Sequence, residues 1–131
     1  MREMELYIDL PARSCHGEAF FGATLPDTIK ARAREDLKAG FATLGRHGSF
    51  APYVAGSEFT LADIVFLYSA VIANVVTQKL FGLDLLGAIP GATELVQRLN
   101  ASPNVQVIAR NHDAAMPGFI AAMQAKAKAA T

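Results

Sequence analysis

Between Gly56 and Phe81 the chain is apolar on almost every face of a helix, with Ile64, Val65, Phe66, Leu67, Val71, Ile72, Val75 and Val76 leaving no polar side. That pattern predicts a buried central helix surrounded by others, and Gly82 after Lys79-Leu80-Phe81 supplies its stop. Upstream, Ile29, Ala33, Leu37, Phe41 and Leu44 form one stripe, while Lys30, Arg32, Arg34, Glu35, Asp36 and Lys38 take the other faces. This is an amphipathic helix lying on a core, and its charge run reads as a solvated face in which Arg32 pairs with Glu35 and Asp36. From Glu3 to Phe21 a helical pattern is interrupted by Pro11, which should kink it. Downstream, Pro90 precedes a shorter helix through Leu95, Val96 and Leu99. Ser102-Pro103 opens another short helix, and Pro117 opens the last, with Lys126 and Lys128 at its C-terminal end. The segment from Val105 to Ala109 alternates enough to allow a short strand, ranked behind a helix because it has no hairpin partner. Gly45 to Ser57 and Leu83 to Ala92 read as connections. With no internal repeat or linker, residues 1–131 make one all-α helical bundle.

Composition narrows the function classes. A chain of 131 residues with 52% hydrophobic composition is large enough to bury a core of its own. Lys plus Arg and Asp plus Glu both number 12, and no run of like charge is long enough to follow a phosphate backbone, which argues against nucleic acid. The central run approaches the length of a membrane span, yet it carries Asp63, Asn74 and Lys79, which favours a soluble core helix over a membrane one. One cysteine excludes an internal disulfide framework, and Met1-Arg2-Glu3 does not lead into a signal peptide, so a cytoplasmic location is expected.

Asp63 has a local explanation. With Thr60 as N-cap, Asp63 falls at N3, where its carboxylate reaches back to the Thr60 amide beside the positive end of the helix. Phe59 and Ile64 then occupy the two positions of a hydrophobic staple. Thr24 and Asp27 repeat the box at the start of the amphipathic helix, without a staple. Asp63 is therefore read as architectural, and no residue is assigned as catalytic.

The remaining constellations are weak. Cys15 and His16 are adjacent, so their side chains do not face each other on a helix, and a structural thiol is favoured. His16, His47 and His112 lack the spacing of metal ligands. Gly40 to Gly45 and Gly82 to Gly87 have phosphate-loop spacing, but neither continues with Lys-Ser or Lys-Thr. Tyr7, Pro11, Ser14 and Cys15 run roughly along one side of the first helix and are the candidates for a substrate-pocket wall, with core packing of Tyr7 and a turn role for Ser14 standing beside that reading.

The stretch "PYVAGSEFTLADI", Pro52 to Ile64, resembles the loop and helix start of the C-terminal domain of glutathione transferases, in which a capping box and staple precede the buried central helix. "ELYIDLPAR", Glu5 to Arg13, and "SPNVQVI", Ser102 to Ile108, are similar to bacterial members of that family, so the likeness covers nearly the whole chain. The resemblance implies an all-helical domain that supplies much of a hydrophobic-substrate pocket and of a homodimer contact. It implies glutathione as co-substrate and an apolar electrophile as acceptor, but no cofactor held by this chain. The family's glutathione site and catalytic residue lie on an N-terminal thioredoxin-like domain, which this sequence does not contain. Because the helical pattern begins at Met1 with no cap signal, the chain is expected to be a fragment of a longer protein. The alternative class is a non-enzymatic protein-interaction module of the same fold.

Overall fold

The computed structural model describes residues 2–129, the side chain of Ala127 apart. Among these residues the backbone is helical, with no β-strand; Tyr53 and Gly56 exchange two backbone hydrogen bonds of 2.9 and 3.1 Å within a loop. Met1, where the helical pattern was expected to begin, lies outside the described residues.

Helix α1 covers residues 2–13 and shows what Pro11 does. Proline offers no N–H to the Tyr7 carbonyl, and its ring crowds the preceding turn. The chain responds by widening: Glu5–Asp9 is a π-helical turn, with the Leu10 N–H bonded to the Glu5 carbonyl, and Leu10–Arg13 then resumes α-helical geometry. The expected kink is thus a local widening. The helix breaks at Ser14 and Cys15 before α2, His16–Phe21.

Helix α3, Asp27–His47, buries Ala33, Leu37, Gly40, Phe41 and Leu44, while Ile29 at the head of the expected stripe stays exposed. Gly40 is where α3 crosses α1, so close that a Cβ there would collide with the Tyr7 carbonyl oxygen. The expected Thr24–Asp27 box does not form, because the N-cap position is Pro26 and no side chain caps it. Glu18 holds this turn instead, accepting from the Leu25 amide at 3.2 Å and pairing with Lys30 at 3.2 Å.

Helix α4 runs from Leu61 to Phe81 with a π-helical turn, Phe66–Ala70, inside it. Gly82 ends it in the left-handed conformation, at φ 65°, with its N–H on the Gln78 carbonyl. The inner face carries Phe66, Leu67, Ala70, Ala73 and Val76, packed with Met4, Ile8, Leu37 and Phe41 of α1 and α3 or with Cys15 and Ala33. By length and composition this helix is apolar enough to cross a membrane, but its neighbours cover only one side. Leu61, Ile64, Tyr68 and Ile72, spaced three or four residues apart, form an exposed stripe. The sequence pattern suggested cover all round, and the structure corrects that.

Helix α5, Ala92–Asn100, buries Ala92, Leu95 and Leu99. After it, Pro103–Ala129 is one helix, α6, rather than a short helix or strand followed by a second helix opened by Pro117. Pro117 removes one hydrogen bond, yet Met116, Ile120 and Met123 are partly buried on either side of it, and Phe119 packs edge-on against Phe21 of α2 at 5.7 Å.

Candidate functional site

Both ends of α4 are fastened by buried polar side chains. At the start, Thr60 Oγ1 accepts from the Ala62 amide at 3.3 Å and Asp63 Oδ2 accepts from the Thr60 amide at 2.8 Å, closing the capping box. Asp63 does more than cap. Its side chain is 0% exposed, and Oδ1 accepts from the Val54 amide at 3.0 Å, tying the preceding loop to the helix. The staple positions behave differently: Phe59 and Ile64 remain 55% and 43% exposed, and the Phe59 ring packs on Tyr53 at 6.0 Å. Arg98 of α5 completes that corner, donating to the Pro52 carbonyl at 2.6 Å and lying over the Tyr53 ring.

At the far end, Asn74 donates from Nδ2 to Asp84 Oδ1 at 2.9 Å and accepts from the Leu86 amide at 3.0 Å. Thr77 Oγ1 donates to the Asn74 and Leu83 carbonyls, both at 2.9 Å. The Asn74 amide, followed by the Gly87 N–H, holds the Asp84 carboxyl below its usual range. Among the described residues no buried side-chain nitrogen or oxygen lacks a hydrogen-bond partner, which fits an architectural role for both clusters.

The four candidates for a pocket wall do not act together. Tyr7 and Pro11 line a shallow groove of about 380 Å³ between α1 and α3, with Leu6, Asp36 and Thr43. Pro11 and Ser14 line the next groove along, with Leu10, Ile29 and Arg32. Ser14 gives its hydroxyl proton to the Pro11 carbonyl at 2.6 Å. Cys15 departs from that reading: it is fully buried against Ala33 and Val76, because the break after Arg13 turns it inward, and it lines neither of these two grooves. His16 beside it is pushed below the ordinary imidazole range by burial, against a raising contribution from Asp9.

A larger groove, about 500 Å³, lies on the other flank of α1, where the π-helical turns of α1 and α4 meet. Leu6, Leu10, Ile64, Val65 and Tyr68 wall it, and Glu5, Asp9, Arg13 and Ser69 give it a polar margin on which Arg13 and Asp9 pair at 2.7 Å. The groove continues the exposed stripe of α4, so an apolar surface runs from α1 across α4. Reading α4 as covered on all sides hid this groove. The three-to-four spacing of Leu61, Ile64, Tyr68 and Ile72 was visible in the sequence, but an all-apolar helix gives no sign of which stripe is left open.

Residues 27–98 match the family described as Glutathione S-transferase, C-terminal domain. The chain belongs to that family. A glutathione S-transferase of Pseudomonas putida is 48% identical over 120 residues, covering 92% of this chain. The same match covers 54% of the relative, so the chain spans about half the length of the curated relative it matches. In this glutathione transferase domain the matched region takes in α3, both fastened ends of α4 and most of α5.

Proposed function

We propose that this chain is the acceptor-side, C-terminal part of a glutathione transferase, working in the cytoplasm as a homodimer. Its α1–α4 groove would form the apolar wall against which an electrophile is held. The reaction is attack of the glutathione thiolate on an electrophilic carbon with departure of the leaving group. The thiolate, as co-substrate, and the groups that activate it belong to a thioredoxin-like domain outside this sequence. What this chain contributes is desolvation and orientation of the acceptor, through Leu6, Leu10, Ile64 and Tyr68. One observation carries the reading: a continuous apolar face on α1 and α4 is open here, in a chain that matches about half of a glutathione S-transferase. Such a face fits a second domain that closes the groove from above.

The test is complementation. The chain alone should not consume glutathione with a chloronitrobenzene acceptor, and mixing it with the part of the Pseudomonas relative that lies outside the match should restore turnover. Leu10→Glu should abolish both association and turnover, since it places a charge in the middle of the face. Association without turnover would favour an interaction module, and turnover by the chain alone would overturn the proposal.

A further inference from the structure

A smaller cavity, which shares no residue with the α1–α4 groove, lies where the start of α1 meets the end of α3, the loop before α4 and the first turn of α4. It holds about 200 Å³. Its inner wall is apolar and buried, built from Met4, Ile8, Leu44 and Val54. The titratable side chains that line it are Glu3 and Tyr7 of α1 and His47 of α3, all three exposed, so they rim the mouth. Glu3 and Tyr7 stand one turn apart on the same face of α1. The Glu3 carboxylate has no permanent counter-charge. Among the described residues its one partner is His47, whose Nδ1 lies 3.5 Å away and which is a cation only when protonated. Arg46, next to His47 in the chain, turns instead to the Thr43 hydroxyl at 3.2 Å, and Thr43 gives its own proton to the Ala39 carbonyl at 3.0 Å. Above neutral pH, where imidazoles are generally uncharged, the cavity presents an apolar interior beneath a single negative charge.

We infer that this cavity binds a small primary ammonium ion, carried on an apolar body about the size of a benzene ring. A cavity of roughly 150 Å³ is enough to hold benzene, so the space here admits such a body and little more. The body enters against Met4, Ile8, Leu44 and Val54, where removal from water drives binding. The ammonium stays at the mouth, where it donates to the Glu3 carboxylate and lies near the Tyr7 ring, whose face attracts a cation. An anion of the same shape would meet Glu3 with like charge and is excluded. Because Glu3 is exposed, the charge sets the preference among ligands and the apolar wall supplies most of the affinity.

Titration of the chain at pH 8 with benzylamine, and in parallel with the uncharged benzyl alcohol of nearly the same shape, tests the inference through the NMR shifts of the Val54 and Ala55 amides. Benzylamine should bind with a Kd on the order of 1 mM, and roughly three- to fivefold more tightly than the alcohol, the range of a partly exposed charge pair. Glu3→Gln should bring the amine down to the level of the alcohol. Glu3→Lys should reverse the preference, so that benzoate binds better than benzylamine. Ala55→Phe, at an exposed loop position on the rim, should cover the mouth and remove both probes while leaving the melting temperature unchanged. Equal binding of amine and alcohol by the parent chain would overturn the inference, and so would the absence of a saturable shift with benzylamine. An amine preference that survives Glu3→Gln, or binding that survives Ala55→Phe, would overturn it as well, since the ammonium would then be held somewhere else.

Discussion

The two ends of α4 solve one problem by different means. At the N-terminal end a carboxylate, Asp63, receives two backbone amides, one of them three residues away and the other nine. At the C-terminal end a neutral amide, Asn74, reaches ten residues on to Asp84 and twelve on to Leu86, with Thr77 supporting it. Both clusters pin a connecting loop beneath the helix. The capping box within the first cluster is a local device that can form as the helix starts; the Asp63 bond to Val54 needs the returning loop, and the second cluster exists only after the 83–91 segment has folded back. A local device should act early in folding and a non-local one late.

The largest effect should come from Asp63→Ala. It leaves the Val54 and Thr60 amides without acceptors at a fully buried position, a loss of about 2–4 kcal/mol. About 1 kcal/mol lowers the melting temperature of a domain this size by roughly 3–5 °C. Asp63→Asn should fall between the parent and Ala, since one amide oxygen cannot serve both donors. Thr60→Ala should cost roughly 0.5–2 kcal/mol, and the double mutant less than the sum, because the residues serve one motif. Denaturant melts and refolding rates of the four proteins decide the point. Unchanged melts for both Ala variants, or strict additivity, would refute the capping account and reopen a direct functional role for Asp63.

These two ends also show what a sequence can disclose. Asp63 and Thr60 were readable because a capping box has a fixed i, i+3 spacing, whereas the Asp63 bond to Val54 depends on how the loop returns and has no spacing rule. Asn74 had entered the sequence reading only as a polar residue that spoiled a membrane span. Nothing in the spacing of Asn74, Thr77 and Asp84 says that they meet, because their meeting depends on the left-handed turn at Gly82. The same limit explains the failed copy of the box at Thr24: Pro26 took the cap position, and Glu18 from the previous helix reached in to hold the turn. Helix order and the all-α class followed from periodicity; the open stripe of α4 and the inward turn of Cys15 required the packing itself.

The second prediction concerns the far end. Asn74→Ala should cost about 1–3 kcal/mol, because the Leu86 amide loses its acceptor and Asp84 a donor. If that cluster forms late, the loss should appear mainly as faster unfolding with an almost unchanged folding rate, the reverse of Asp63→Ala. Chevron plots of the two variants measure this directly. Equal slowing of folding by both would erase the distinction between a local and a non-local fastening.

The smallest effect is the response to acid, which separates the ends by charge. The Asp84 carboxyl is lowered by the Asn74 amide and then the Gly87 amide, and Glu18 is lowered by the Leu25 amide and then Lys30. A carboxylate lowered in the folded state lends stability that is complete above its unfolded value and is lost as pH falls through its folded one. For these two the unfolded values are 3.8 and 4.5, so their share should fade only below about pH 4.5. His16 acts in a different window. Burial lowers it from 6.5, so the folded state resists its protonation, and stability should already decline as pH drops below 6.5. Melting temperatures should therefore fall in two steps between pH 7.5 and pH 3. His16→Phe should remove the upper step, since Phe keeps the edge contact that His16 makes with Phe20 at 5.4 Å and cannot take up a proton. Asp84→Asn should shrink the lower step and leave the upper one untouched. A single step below pH 4.5 in the parent, or an upper step that persists in His16→Phe, would show that the α2 end of the bundle does not sense pH through this imidazole.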